Sequence, residues 1–173
     1  VIIEKSNQLT KIIDDVLYVS DIQNIPLSIE HFKLGDIISE TIGNYKPLLR
    51  EGGSITASSG IMEIGVVSDR KMLAKVLSMV VDNAVKFAGN SPITITATQD
   101  ATHEDIVVSD CGPGIPKDKV QWVFDEFTKV DEFVQGTGMG LAICRDVMKR
   151  LEGTIFVDAT YDKGCRIVIR LYH

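Results

Sequence analysis

The sequence predicts an α+β fold: a two-layer α/β sandwich whose mixed, largely antiparallel sheet carries helices on one face. Three observations lead there. Periodic segments run in the order helices, strands, helix, two strands, loop, helix, two strands. "PITITATQD" (92–100) alternates apolar and polar residues strictly, which marks a half-buried strand. The closing segments "GTIFVDAT" and "CRIVIRLY" flank "YDKG", which reads as a hairpin and so as antiparallel pairing.

The elements follow in order. Residues 1–22 place Ile3, Leu9, Ile12, Ile13, Val16, Leu17 and Val19 at intervals of three and four, one stripe of a helix. Its Leu9, Ile13, Val16 and Ser20 positions read as a short coiled-coil seam, which favours a partner helix over a surface element. Pro26 marks the end of that helix. Residues 33–50 carry Leu34, Ile37, Ile38, Thr41, Ile42 and Tyr45, again helical. "EGGSITASS" breaks this and begins a short strand. "SDR" at 68–70 supplies a cap for a helix with the stripe Leu73, Val76, Leu77, Val80, Ala84 and Phe87. "EDIVVSD" (104–110) is a strand, "CGPGIPKDKV" is turn-rich, and "VQWVFDEFTKVDEFVQ" reads as irregular or a short helix. A helix over about 141–151 then presents Leu141, Cys144, Met148 and Leu151 on one face.

Composition narrows the function. A hydrophobic fraction of 45% over 173 residues suits a folded chain with a core of useful size. The net charge of −6 argues against a nucleic-acid partner, which needs a basic face. A nucleotide ligand stays open, because backbone amides and a few cations suffice for it. Cys111, Cys144 and Cys165 form no Cys-x-x-Cys pair, so neither zinc nor a disulfide framework is indicated, and a reducing compartment is expected. No apolar run reaches membrane-spanning length.

Three stretches carry chemistry. In "GTGMGLAICRDVMKRLEG" (136–153), Gly136, Gly138 and Gly140 alternate at a helix start. The spacing fits neither a Gly-x-Gly-x-x-Gly fingerprint nor a P-loop. Unpaired amides and the positive dipole end make an anion the natural guest. In "VSDCGPGIP", Asp110 ends an apolar strand and Gly112 and Gly114 follow. The carboxylate suits an exocyclic amine and the glycines let backbone close over a flat ring. A plain strand-to-loop turn explains the same residues. In "VVDNAVKF", Asn83 lies at the rim of the apolar stripe with Lys86 on the same flank. The amide oxygen suits a hard cation and the ammonium suits phosphate, while a solvated helix flank explains Lys86 equally well.

Taken in order, these stretches resemble the ATP-binding domain of sensor histidine kinases, within the superfamily that includes gyrase and the Hsp90 chaperones. "VLSMVVDNAVKF" resembles its asparagine box, "DCGPGIP" its first glycine box, "VFDEFTK" its phenylalanine box and "GTGMGLAI" its second glycine box. "LTKIIDDVLYVSDIQ" resembles the second helix of the dimerisation hairpin. The resemblance implies that residues 1–25 end that hairpin and that 26–173 form the catalytic domain. It implies ATP and magnesium as cofactors, with Asn83 on the metal and Lys86 and Lys129 on phosphate. Asp110 would read adenine beside Gly112, Gly114 and Ile115, and Phe124 and Phe127 would belong to a lid between Pro116 and Gln135. Gly136, Thr137, Gly138, Met139, Gly140 and Leu141 would form the phosphate-side box.

Two positions depart from the pattern. Met79 stands one turn before Asn83, where the family often has a polar residue, and Cys165 stands where it often has threonine. No acceptor motif surrounds His31, His103 or His173, so the phosphorylated histidine is expected upstream of Val1 and this chain is expected to be a fragment. The implied function is Mg-ATP-dependent autophosphorylation of that histidine and transfer to a response regulator, in a cytoplasmic homodimer built on the hairpin. Any membrane contact would come from upstream regions. The alternatives are a non-catalytic nucleotide-binding regulatory domain, or another ATPase of the superfamily.

Overall fold

Asp69 caps the helix around which the fold is built. Its side chain accepts a hydrogen bond from the Met72 amide, and α3 (Arg70–Ala88) runs from there. The structure, a computed structural model, describes residues 1–125 and 140–173. Before α3 come α1 (Ile2–Asp21), β1 (Ile29–Lys33), α2 (Leu34–Tyr45), β2 (Ser54–Ala57) and β3 (Gly65–Asp69). After it come β4 (Pro92–Gln99), β5 (His103–Asp110), α4 (Gly140–Arg150), β6 (Thr154–Val157) and β7 (Arg166–Tyr172).

Five strands form one sheet in the order β2-β4-β5-β7-β6. Only β2 and β4 pair in parallel, with Ile55 opposite Ile93; the other ladders are antiparallel. The sheet is therefore mixed and mostly antiparallel, as expected. Alternation selects its covered face: Ile93 and Ile95 on β4, Ile106 and Val108 on β5, Ile167, Ile169 and Leu171 on β7 are all buried. Leu73, Val76, Leu77 and Val80 of α3 and Ile143, Val147 and Met148 of α4 complete that core. The buried Cys144 thiol reaches the Val76 carbonyl at 3.7 Å and links α4 to α3.

Two strands lie outside the sequence expectation. β1 and β3 form a separate antiparallel ribbon, Ile29 opposite Asp69 and Lys33 opposite Gly65. β1 buries only Phe32 among its five residues, so no alternation advertises it. The helix read over 33–50 is also shorter. α2 ends at Tyr45 and a single 3₁₀ turn, Lys46–Leu48, holds Pro47. Proline has no amide to continue the ladder and disfavours helix at the residue before it.

α1 divides into two halves. Leu9, Ile13 and Val16, the seam residues, are about half exposed, at 58%, 51% and 45%. Its far end docks on the domain: the Lys75 ammonium lies 4.2 Å from the centre of the Tyr18 ring. Beyond the helix Ile22 is buried, and Arg150 Nη2 donates to the Ile25 carbonyl at 3.3 Å. Among the described residues no helix is long and apolar enough to cross a membrane.

Candidate functional site

A cleft opens between α3 and the covered face of the sheet. Val80, Asn83, Ala84 and Phe87 line it from α3, Val108 and Asp110 from β5, and Cys165 and Ile167 from the β7 side. Gly114, Ile115 and Leu141 close its edges. Its empty space, open mouth included, is about 480 Å³. Most of the lining is apolar, with Asn83 and Asp110 as its polar side chains, the make-up of a small-molecule site.

Asp110 is the buried charge in this cleft, at 4% exposure. Its Oδ1 accepts the Gly112 amide at 2.9 Å and the Cys165 amide at 3.1 Å. Among the described residues Oδ2 has no partner. Burial pushes the carboxyl above its ordinary value, and the two amides offset this only in part. An anchored carboxylate with one uncommitted oxygen is a directed acceptor for a donor in the cleft.

The glycines around Asp110 are there for space. A methyl on Gly112 would lie 2.6 Å from the Phe87 carbonyl oxygen, at the end of α3. Gly114 has φ +74°, a conformation that other residues adopt at a cost, and a methyl there would lie 2.8 Å from the Gly164 carbonyl. A methyl on Gly164 would overlap the Asp110 carbonyl oxygen. The strand end, the following loop and the β6–β7 loop thus pack backbone to backbone.

Asn83 faces the same cleft from the C-terminal third of α3. Among the described residues its amide makes no hydrogen bond, which leaves its oxygen available to a cation. Lys86 pairs within its own helix: its ammonium sits 2.6 Å from Asp82 across one helical turn. Met79 is half-buried and packs on the core.

Gly140 begins α4 and Leu141 is buried against the cleft. Phe124 packs partly against the core next to the buried Val123. Asp125 meets Arg145 Nη1 of α4 at 3.2 Å. Phe127, Lys129, Gly136, Thr137, Gly138 and Met139 lie outside the described residues.

The sequence reading did not find Tyr161. Its hydroxyl donates to the Asp110 carbonyl at 3.0 Å. The Arg166 guanidinium lies 4.1 Å from the centre of its ring, and Arg166 Nε donates to Ser109 Oγ at 2.9 Å. The only local signal was the hairpin loop that contains it.

A mostly apolar cleft that holds one buried carboxylate, set between a helix and a mixed sheet, defines an α+β domain built to bind a small ligand. The chain belongs to the family of histidine kinase-, DNA gyrase B- and HSP90-like ATPases, whose pattern matches residues 68–173. The sensor histidine kinase RcsC of Escherichia coli strain K12 is 32% identical over 174 residues, covering 96% of this chain. The chain spans 18% of that relative's length. Two solved structures share the fold. Full-length ShkA in complex with AMPPNP superposes with a TM-score of 0.84 at 24% identity, over 98% of this chain and 37% of that one. The histidine kinase ThkA in complex with the response regulator TrrA gives 0.79 at 22% identity, over 96% of this chain and 48% of that one.

Proposed function

We propose that this chain is the ATP-binding catalytic domain of a sensor histidine kinase, residues 26–173, preceded by the end of a dimerisation hairpin, residues 1–25. The geometry of Asp110 carries the reading: one carboxylate oxygen is anchored by two amides and the other is left for an exocyclic amine. Adenine has such an amine, and the apolar walls suit its flat ring. RcsC is a sensor histidine kinase by name, and the ShkA structure is a complex with AMPPNP.

The residues present fit the cofactor. Asp110 would hold the base and Gly112, Gly114 and Ile115 would close over it. Asn83 would supply one oxygen to magnesium, which keeps several waters and takes few protein ligands when phosphates complete its shell. Gly140, at the start of α4, would present amide nitrogen to phosphate, and Lys86 would add a cation. Gly136, Thr137, Gly138, Met139 and Lys129 are proposed for the phosphate side on the sequence resemblance alone. Bound Mg-ATP supplies the phosphoryl group. The domain's own task is to orient it, neutralise charge and exclude water, because phosphoryl transfer needs little covalent chemistry from the protein.

The acceptor is proposed to be a histidine upstream of Val1, and the onward partner a response regulator of the kind titled in the ThkA complex. The site of action is proposed to be the cytoplasm. Calorimetry with Mg-ATP tests the first part: the chain binds, and Asp110→Asn binds about tenfold or more weakly. Unchanged affinity in that variant rejects the site. In the full-length protein, γ-labelled ATP labels a histidine upstream of Val1, while the isolated chain stays unlabelled. Stable label on the isolated chain rejects the acceptor assignment.

A further inference from the structure

Asp110 is held from outside the cleft as well as from within it. Tyr161 is not part of the cleft lining, yet its hydroxyl donates to the Asp110 main-chain carbonyl at 3.0 Å. A carbonyl only accepts, so the phenolic proton is committed there. The Cys111 thiol, 3.8 Å away, then donates to the phenolic oxygen.

The ring itself is fixed. The Arg166 guanidinium stacks on it at 4.1 Å, and that guanidinium is tied to Ser109 Oγ at 2.9 Å and to Asp158 at 3.6 Å. Asp158 also accepts the Thr160 amide at 3.0 Å and the Thr160 hydroxyl, which fixes the turn leading into Tyr161. Ser109 and Arg166 are opposite each other in the β5–β7 ladder, so the brace is anchored in the sheet.

These contacts act on one peptide. Past the Ser109–Arg166 pair one further main-chain bond follows, from the Asp110 amide to the Cys165 carbonyl, and the chain then turns into the glycine loop at Cys111 and Gly112. The Asp110 carbonyl sits at that turn. Rotation of the 110–111 peptide would carry the Gly112 amide away from Asp110 Oδ1 and release one of the two bonds that orient the carboxylate. The Tyr161 hydroxyl holds that carbonyl by a side chain 51 residues away.

We propose that Tyr161 is a positioning residue for the nucleobase: its hydroxyl, braced by Arg166, fixes the Asp110 carbonyl so that Asp110 Oδ2 meets the exocyclic amine of adenine. The inference rests on the reading of Asp110 as the adenine acceptor. Tyr161 touches no ligand and acts only through Asp110.

The test compares two ligands on the same chain. Tyr161→Phe keeps the ring and its stacking and removes only the hydroxyl. ATP and purine riboside triphosphate, which lacks the exocyclic amine, are titrated by calorimetry against wild type, Tyr161→Phe and Asp110→Asn. The expected result is that Tyr161→Phe loses about fivefold in ATP affinity, the worth of one neutral hydrogen bond. Its affinity for the amine-free ligand stays within about twofold of wild type, because that ligand never uses Oδ2. Equal losses for both ligands would mean general loosening of the loop and overturn the proposal, as would no loss for either. Asp110→Asn separates the two readings: ATP affinity unchanged in that variant rejects the Asp110 assignment itself. A large loss there, with Tyr161→Phe silent, rejects only the role of Tyr161. Thermal melts of Tyr161→Phe confirm that the compared proteins are folded.

Discussion

Asp110 and Cys165 are joined by two hydrogen bonds at the rim of one cleft. The Asp110 amide donates to the Cys165 carbonyl at 2.9 Å, the Cys165 amide donates to Asp110 Oδ1 at 3.1 Å, and both side chains line the cleft. The main-chain bond extends the β5–β7 ladder past Ser109 and Arg166. The side-chain bond uses one carboxylate oxygen as a backbone anchor. The end of the sheet therefore becomes a recognition element without a separate scaffold.

Asp110→Asn should separate binding from stability. The amide oxygen can still accept from Gly112 and Cys165, while the charge is gone. Binding should fall about ten- to a hundredfold, the loss of a hydrogen bond to a charged group. Stability should move the other way. Burial raises the Asp110 carboxyl above its ordinary 3.8, so the folded state favours the neutral form. Its ionisation costs stability as pH rises from that ordinary value through the folded-state value, and the cost is full above both. The variant should therefore melt higher than wild type at neutral pH and level with it in acid. Melts showing the variant less stable at pH 7 would refute this.

The three thiols should react in a fixed order. Cys111 is exposed, Cys165 is half-buried and Cys144 is buried. Burial pushes the Cys165 thiol up to about 12, with Asp110 adding to the rise, and pushes Cys144 higher still. The thiolate is the reactive species, so both stay inert near neutral pH. A colorimetric thiol assay on the folded chain should count one fast equivalent, lost in Cys111→Ser, and three after denaturation.

What the sequence displayed is what repeats locally. α3 announced itself through the Asp69 cap and a stripe at helical spacing, and both are determined within a few residues. β4 announced itself by alternation. β1 did not, because its pairing partner lies beyond α2 and its own pattern buries one side chain. Asp110 was legible as a strand-end carboxylate before a glycine pair. Tyr161 was not, because nothing local ties a hairpin residue to a carbonyl 51 positions earlier. The Asp82–Lys86 pair is legible as an i,i+4 spacing of opposite charges on one helix.

Lys86 should contribute to phosphate binding only by leaving Asp82. Its ammonium is 2.6 Å from Asp82, and both side chains are about a quarter exposed, so the pair is weak enough to exchange. Lys86→Ala should weaken ATP about tenfold and leave adenosine unchanged, because a point charge acts on the phosphates alone. Asp82→Ala should leave Lys86 unpaired and hold ATP affinity at or above wild type. Equal losses for ATP and adenosine in Lys86→Ala would show that the residue only supports the helix.

Asp69 should resist every replacement, because both of its oxygens are used. Oδ1 accepts the Met72 amide at 3.0 Å and caps α3, and Oδ2 accepts the Ser28 amide at 2.8 Å from the segment after α1. The side chain is 4% exposed, so water cannot replace either bond at low cost. Removing the cap costs about 1 kcal/mol and stranding the second amide about 1–3 kcal/mol more. Asp69→Ala should therefore lose about 2–4 kcal/mol in urea unfolding. Asp69→Asn can cap α3 with its oxygen but must turn an amide nitrogen toward the Ser28 N–H, so it keeps one bond and loses the other. Its loss should fall between wild type and alanine. Equal losses for alanine and asparagine would show that the carboxylate acts by charge rather than by two directed bonds. The Ser28 bond also ties the chain leaving α1 to the start of the helix that bears Asn83. Loosening it should reach the nucleotide cleft through α3, as a small fall in ATP affinity in Asp69→Asn under conditions where the variant is fully folded.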